Sequence, residues 1–188
     1  MGIDEPLLER LTAEAIAKLK KLVENFKLGA ITWTKFKARV VMILRGLYTE
    51  AMSAIQGAAT LSAEEKRVLQ EAINDQLYPG GGYSLEEVLE EYNSGAISVL
   101  MLTARLVLYL KSARLVVYKV ARERDRLNEF YIRMLGATDQ HCEECLAYTA
   151  MPPMRLSDII LPGQDCRCRS NCLCRLVKVP NRSFGWLS

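Results

Sequence analysis

The chain has 188 residues but a single histidine, His141, and no cysteine before it. With one histidine, general acid–base chemistry would fall to carboxylates or thiols. The sequence also lacks the Gly-x-Ser-x-Gly, phosphate-loop, His-Glu-x-x-His and dinucleotide-binding motifs of common enzymes. No apolar run reaches the roughly 18 residues needed to span a bilayer, and the first residues lack the basic and apolar regions of a signal peptide. We therefore expect neither an enzyme nor a secreted or membrane-inserted protein.

The cysteine-free part of the chain, residues 1–137, has the pattern of an all-α body. Apolar side chains recur at helical spacing, and no stretch shows the alternation of a strand. The longest apolar segment follows Ser98 and predicts a central helix that continues to about Leu135. Residues with N-cap chemistry precede five of the predicted helices, at Asp4, Thr32, Ser62, Ser84 and Ser98.

An internal repeat organises this body. Residues 26–48 and 92–114 each contain an aromatic residue, a Gly-Ala-Ile turn, a hydroxyl cap and an apolar helix with an arginine at the same place. The glycine suits the left-handed position that ends a helix, and the hydroxyl can accept free amides of the next one. The repeat predicts duplicated helical hairpins around the helix after Ser98. We expect the core to contain Trp33, Phe36, Leu44, Leu100, Leu106 and Leu110.

The last part of the chain, residues 138–188, contains all six cysteines. Cys142-x2-Cys145 has the spacing with which two thiolates hold one tetrahedral metal, and zinc takes four such ligands in a structural site. On the premise that the two members of a Cys-x-Cys pair point in different directions, we choose one ligand from each later pair. We expect a small, irregular, zinc-knuckle-like tail that binds one structural zinc through Cys142, Cys145, Cys168 and Cys172, with Cys166 and Cys174 spare.

Two other states of these cysteines remain open at the level of the sequence. Disulfides would suit a protein that meets oxidising conditions outside a cell, although an intracellular chain argues against them. Inert or redox-active thiols are the other alternative. His141 precedes the first cysteine, but Cys142 is the better partner for Cys145, so we expect an exposed histidine and no ligand.

The tail resembles the C-terminal region of tailed-phage head-morphogenesis proteins, also called Mu F-like or minor head proteins. Those proteins end with a Cys-x2-Cys, a proline-containing linker and Asn-Cys-Arg-Cys-Arg-like residues. This chain has Cys142-x2-Cys145, then Leu161-Pro-Gly163, then Ser170-Asn-Cys172-Leu-Cys174-Arg175. Many members carry a histidine before the Asn-Cys; here Arg169-Ser170 stand there, and Cys168 can take its place. The resemblance covers the tail clearly and the body loosely.

The resemblance implies a virion structural protein that acts in head assembly or at the head–tail junction. Its partners would be capsid, portal or connector proteins, bound in multiple copies within one assembly. The chain would be made in the host cytoplasm and end in the virion.

The alternative function is a small zinc-containing protein that binds nucleic acid. A net charge of +3 is too small to indicate this by itself. Basic side chains are nevertheless concentrated after the middle of the predicted central helix and in the tail, where they would hold DNA phosphates without sequence readout or else form a solvated, charge-balancing surface. They are Lys111, Arg114, Lys119, Arg122, Arg124, Arg126, Arg155, Arg167, Arg169, Arg175, Lys178 and Arg182.

Overall fold

The computed structural model describes residues 3–55, 60–78, 84–124, 129–136, 141–164, 166–167 and 172–179, without the side chain of Arg124. Within these ranges the protein is mostly helical, and it adds a three-stranded sheet and a cluster of cysteines near the C-terminus. The prediction of an all-α fold is therefore correct for most of the chain and wrong for the sheet. No helix in the described part is long and apolar enough to cross a membrane.

The helices occupy most of the chain before residue 125. They are α1 (Glu5–Lys27), α2 (Trp33–Ala51), a 3-10 turn (Met52–Ala54), α3 (Ala63–Leu77), α4 (Leu85–Asn93), α5 (Val99–Lys111), α6 (Ala113–Arg124) and, after the first strand, α7 (Glu143–Thr149). The strands are β1 (Phe130–Met134), β2 (Met154–Arg155) and β3 (Arg175–Val179). The longest pair, α1 and α2, pack along each other, α1 also contacts α5, and α3 lies against α6.

The predicted helix starts are confirmed. Ser62 and Ser84 both form complete capping boxes. In each, the serine hydroxyl accepts from the amide of the third helical residue, a glutamate, whose carboxylate accepts from the serine amide. Thr32 and Ser98 each accept from the amide three residues on, as does Asp4 from Leu7 at 3.0 Å. These bonds satisfy amides that have no partner inside the helix.

The two turns of the repeat have the same geometry. Gly29 and Gly95 take positive φ angles of 69° and 79°, a region that a side chain makes costly. Each glycine amide donates at 3.0 Å to the backbone carbonyl of the aromatic residue three positions earlier. The following alanine amide donates to the carbonyl five positions earlier, at 2.9 Å and 2.8 Å. Both turns are therefore Schellman-type helix ends followed by a hydroxyl cap.

Most of the predicted core residues are buried. Phe36, Leu44, Leu106 and Leu110 are nearly inaccessible, and Trp33 is half-buried against them. The prediction for Leu100 is wrong, because its side chain is 77% exposed. The reason is that α5 is apolar almost all round, so its pattern does not identify the buried face. Leu102, Leu106 and Leu110 form that face, and Leu100 lies about 120° around the helix from its centre.

The single long helix expected after Ser98 is also wrong. It is divided at Ser112, whose hydroxyl lies 2.6 Å from the Tyr48 hydroxyl and 2.7 Å from the Tyr109 carbonyl. A serine that bonds to nearby backbone competes with continuous helix. From Phe130 the chain is a strand, rich in the aromatic and β-branched residues that favour strands. Local periodicity missed it because its pairing partners lie much later in the chain.

The sheet has the order β2-β1-β3, and both pairings are antiparallel. The central strand β1 lies before the predicted domain boundary at residue 137, and both of its neighbours lie after it. Phe130 pairs with Arg155 on one side and with Val179 on the other. The sheet therefore joins the end of the helical segment to the cysteine-rich segment.

A buried hydrogen-bond network fastens the last strand to the helices. The Tyr118 hydroxyl on α6 donates to the Glu5 carboxylate on α1 and accepts from the Leu176 amide on β3 at 3.1 Å. Arg114 forms an ion pair with Glu5 at 3.2 Å. Burial raises the pKa of Glu5, against the opposing effects of Tyr118 and Arg114. One hydroxyl thus connects three elements that are distant in sequence.

Leu110→Ala tests the buried face of α5. We expect the free energy of unfolding to fall by about 2–5 kcal/mol, because the substitution leaves a cavity. Leu100→Ala in the same helix is the matched control. It should change the free energy of unfolding by less than about 0.5 kcal/mol, because its side chain is exposed. Urea unfolding followed by circular dichroism measures both. Equal effects of the two substitutions would contradict the assigned orientation of α5.

Tyr118→Phe tests the network between the helices and β3. The substitution leaves a buried carboxylate and a buried amide without their shared partner, so we expect a loss of about 1–3 kcal/mol. Tyr131→Phe is the control, because its hydroxyl donates to Glu129 only two residues away. Hydrogen exchange of the Leu176 amide should accelerate in Tyr118→Phe alone. Unchanged exchange there would show that the tyrosine does not hold β3.

Candidate metal centre

Three segments of the tail bring five cysteines together. Cys142 is the N-cap residue of α7, and Cys145 lies in its first turn. Residues three apart at a helix start lie on the same side, so both thiols face the same point. Cys166 follows the turn at Gly163, which has a φ of 87°. The third segment holds Cys172 and Cys174, immediately before β3.

A close backbone approach positions this last segment beside β1. Gly136 follows the end of β1, and a Cβ atom built there would lie 2.3 Å from the Leu173 carbonyl oxygen and 2.5 Å from the Leu173 Cβ atom. These distances leave no room for a side chain. Glycine at 136 therefore lets the segment with Cys172 and Cys174 lie directly against the end of the central strand.

The five sulfurs form one compact cluster. Within each of two groups, Cys142–Cys145–Cys166 and Cys145–Cys172–Cys174, the sulfurs lie within 4.8 Å of one another. Cys145 belongs to both groups and is completely buried. Cys166 and Cys174 are also buried, whereas the other two are half-buried. The cluster can hold a metal ion, and Cys145 is its centre.

One sulfur–sulfur distance can be compared with that of a tetrahedral site. The Cys145 and Cys172 sulfurs are 3.7 Å apart. Four sulfurs placed about 2.3 Å from a central zinc would be separated by about 3.8 Å along each edge of the tetrahedron. None of the five described cysteines forms a disulfide.

Arg133 on β1 lies inside the cluster. Its Nη2 atom donates to the sulfurs of Cys145 and Cys166 at 3.4 Å and to that of Cys172 at 3.3 Å. Its Nη1 atom donates to the Ile160 carbonyl at 3.3 Å. The guanidinium also lies over the Tyr148 ring, 5.0 Å from the ring centroid. Only 3% of Arg133 is exposed, so a full positive charge is buried among the sulfurs.

The cluster shifts the acidity of its members in different directions. Burial raises the pKa of the Cys145 thiol, and the neighbouring thiols add to this effect. Burial acts the same way on Cys166, but donation from Arg133 and from the Gly163 amide outweighs it and lowers the pKa of Cys166 to about 7. Burial alone would lower the pKa of Arg133, yet the surrounding thiols raise it. Arg133 therefore stays charged and favours thiolate at Cys166.

The outcome for the predicted ligands is mixed. Cys142, Cys145 and Cys172 lie in the cluster, as expected. Cys168 lies outside the described residues. Cys166 and Cys174, which we expected to be spare, lie in the cluster as well. The premise behind that choice was incorrect, because residues two apart in an extended chain lie on the same side, and Cys172 and Cys174 both approach Cys145. Which four cysteines bind a metal stays a prediction.

Sequence reasoning missed Arg133 altogether. The residue falls within the segment predicted as helix, nine positions before the first cysteine, and no motif connects it to the tail. The pairing of β1 with β3 brings it beside the segment with Cys172, and Cys145 and Cys166 reach it from two other segments. An arginine in an apolar segment with strand propensity, Phe130-Tyr-Ile-Arg133, is the one signal that the sequence offers.

Comparison with protein-family models, curated proteins and solved structures found no significant match to this chain. The geometry of the site is therefore the main basis for assigning its function.

Cys145→Ala tests the centre of the cluster. Because Cys145 belongs to both sulfur groups, we expect the variant to lose metal binding while the helical circular dichroism remains. Leu146→Ala is the control, since that neighbouring side chain is half exposed. Metal content after purification under reducing conditions measures the effect. Equal metal content in the two variants would contradict the central place of Cys145.

Proposed function

We propose that the cysteine cluster binds one zinc ion and that this zinc is structural. A buried, thiol-only donor set suits zinc, which prefers closed tetrahedral sulfur sites when it has a structural role. The sulfur separation of 3.7 Å between Cys145 and Cys172 is the observation that carries this proposal. When bound, the ion would supply four metal–sulfur bonds in a part of the chain that has little apolar core of its own.

Zinc binding would cross-link three segments of the tail. The ligands come from α7, from the turn before Cys166 and from the segment that enters β3. One ion would therefore fix both ends of the long connection between residues 149 and 172 to the same point. Metal-binding free energy then becomes folding free energy for the tail, because the site does not exist in the unfolded chain.

We further propose that the protein is a virion structural component that acts in phage head assembly or at the head–tail junction. The support is the resemblance of the cysteine tail to head-morphogenesis proteins, together with the structural character of the proposed centre. Large apolar side chains are available for protein contacts on the helical body. Leu28, Met42 and Leu100 are each at least 70% exposed.

The contacts of the basic residues favour this function over nucleic-acid binding. Arg114 is largely buried and pairs with Glu5 and Glu9. Arg122 donates to the carbonyls of Leu156 and Ile159 at 2.9 Å and 2.7 Å.

In the tail, Arg167 pairs with Glu144 at 2.8 Å, and Lys178 pairs with Glu129. Arg126, Arg169 and Arg182 lie outside the described residues, and so does the side chain of Arg124. Arg114 and Arg122 are therefore committed to internal contacts, whereas the ion pairs of Arg167 and Lys178 lie at the surface.

Co-expression with the portal and major capsid proteins of a tailed phage tests the virion role. We expect the chain to sediment with portal rings or capsid shells after nuclease treatment and at high salt. Sedimentation that disappears under those conditions, together with salt-dependent binding of the isolated chain to DNA, would contradict it and favour the nucleic-acid function.

A further inference from the structure

We propose that Arg133 is the built-in counter-charge of the metal centre, a positioning residue that sets the zinc affinity and the electron density of the sulfurs. This inference rests on the proposed zinc site. The arginine is not a ligand; its role is to hold three of the sulfurs and to balance part of their charge.

The contacts of Arg133 reach every segment that brings a cysteine to the cluster. Its Nη2 atom donates to Cys145 of α7, to Cys166 of the middle turn and to Cys172 of the segment before β3, all at 3.3–3.4 Å. Within the described residues the same atom thus touches three chain segments that no continuous element connects. A single nitrogen in this place gathers the sulfurs into a cluster before any ion binds.

Further contacts hold the Arg133 guanidinium in the cysteine cluster. The Ile160 carbonyl accepts from its Nη1 atom at 3.3 Å, the Tyr148 ring covers one face, and the backbone belongs to the central strand of the sheet. A planar guanidinium can satisfy sulfur, carbonyl and ring contacts simultaneously, whereas an ammonium group cannot. The sequence requirement is therefore for arginine and not merely for a positive charge.

Charge balance makes the arginine necessary. Four thiolates around one divalent zinc carry a net charge of about −2, and burying uncompensated charge is costly. Arg133 reduces that charge from within the cluster. The cation that follows Cys166, Arg167, is 73% exposed and pairs with Glu143 and Glu144, so it compensates much less.

Donation to sulfur also changes the chemistry of the ligands. An N–H group pointing at a thiolate withdraws electron density, so a sulfur with this contact should react more slowly with alkylating agents. Partners of this kind around a metal usually alter affinity by about 10–100-fold when they are removed. The structure assigns this role to Arg133 for Cys145, Cys166 and Cys172.

The test compares Arg133→Met, Arg133→Lys and the control Arg122→Met in the full chain. Arg122 holds carbonyls of the same tail segment, so its loss removes a structural arginine without removing the sulfur contacts of Arg133. Zinc affinity is measured by competition with a chromophoric chelator, and cobalt(II) is used to read the thiolate charge-transfer band.

We expect Arg133→Met to bind zinc about 10–100-fold more weakly, to shift the cobalt–thiolate band and to react faster with iodoacetamide. Arg133→Lys should lie between Arg133→Met and the native chain, and Arg122→Met should match the native chain in the cobalt band and in alkylation rate. If Arg133→Met does not fold, the zinc affinity and cobalt band of Arg133→Lys test the role of Arg133, because lysine keeps the charge but lacks the guanidinium's fork of donors.

Two results separate the inference from the proposed zinc site. A native chain that binds no zinc or cobalt overturns the proposed site itself. A native chain that binds zinc, with Arg133→Met or Arg133→Lys matching its affinity and its cobalt band, leaves the site in place and overturns the role of Arg133. Equal spectral changes in Arg122→Met would overturn it too, since any loosening of the tail would then suffice.

Discussion

A buried guanidinium among buried thiols is the interaction on which the C-terminal half of this structure depends. Arg133 could not remain at 3% exposure without partners for its charge, and the cysteines around it supply them. The reverse also holds, because thiolates in this cluster need a cation near them. Each of the three cysteine segments reaches Arg133 on the central strand.

The same strand connects the tail to the helices. β1 pairs with β3, and β3 is held to α6 and α1 through the Tyr118 hydroxyl. Arg122 on α6 binds two carbonyls of the segment that follows β2. The proposed zinc centre and the helical body are thus linked through the sheet and through side chains of one helix.

Local chemistry made the helices predictable and left the sheet unpredictable. The capping box at Ser62 and the glycine turns at positions 29 and 95 depend on residues a few positions apart, so the sequence contains the whole signal. Strand β1 depends on partners far along the chain, and its aromatic and branched residues also fit a helix. Leu100 was misplaced for a related reason, since an evenly apolar helix does not reveal which face it buries.

The cysteine site was predictable in outline but not in composition. Clustering of the cysteines and the Cys142-x2-Cys145 spacing were enough to predict a common site. The choice among the later cysteines assumed that the two members of a Cys-x-Cys pair point apart. Residues two apart in an extended chain instead share a face, and Cys172 and Cys174 both approach Cys145. Arg133 could not be found locally, because the sulfurs that it contacts lie 12, 33 and 39 residues further along the chain.

Zinc-edge X-ray absorption of the purified, reduced chain tests the central claim most directly. The account predicts one zinc per chain with a shell of four sulfurs at about 2.3 Å. A zinc shell of nitrogen and oxygen, or a chain without zinc in which mass spectrometry finds the cysteines paired as disulfides with sulfurs about 2.05 Å apart, would contradict it.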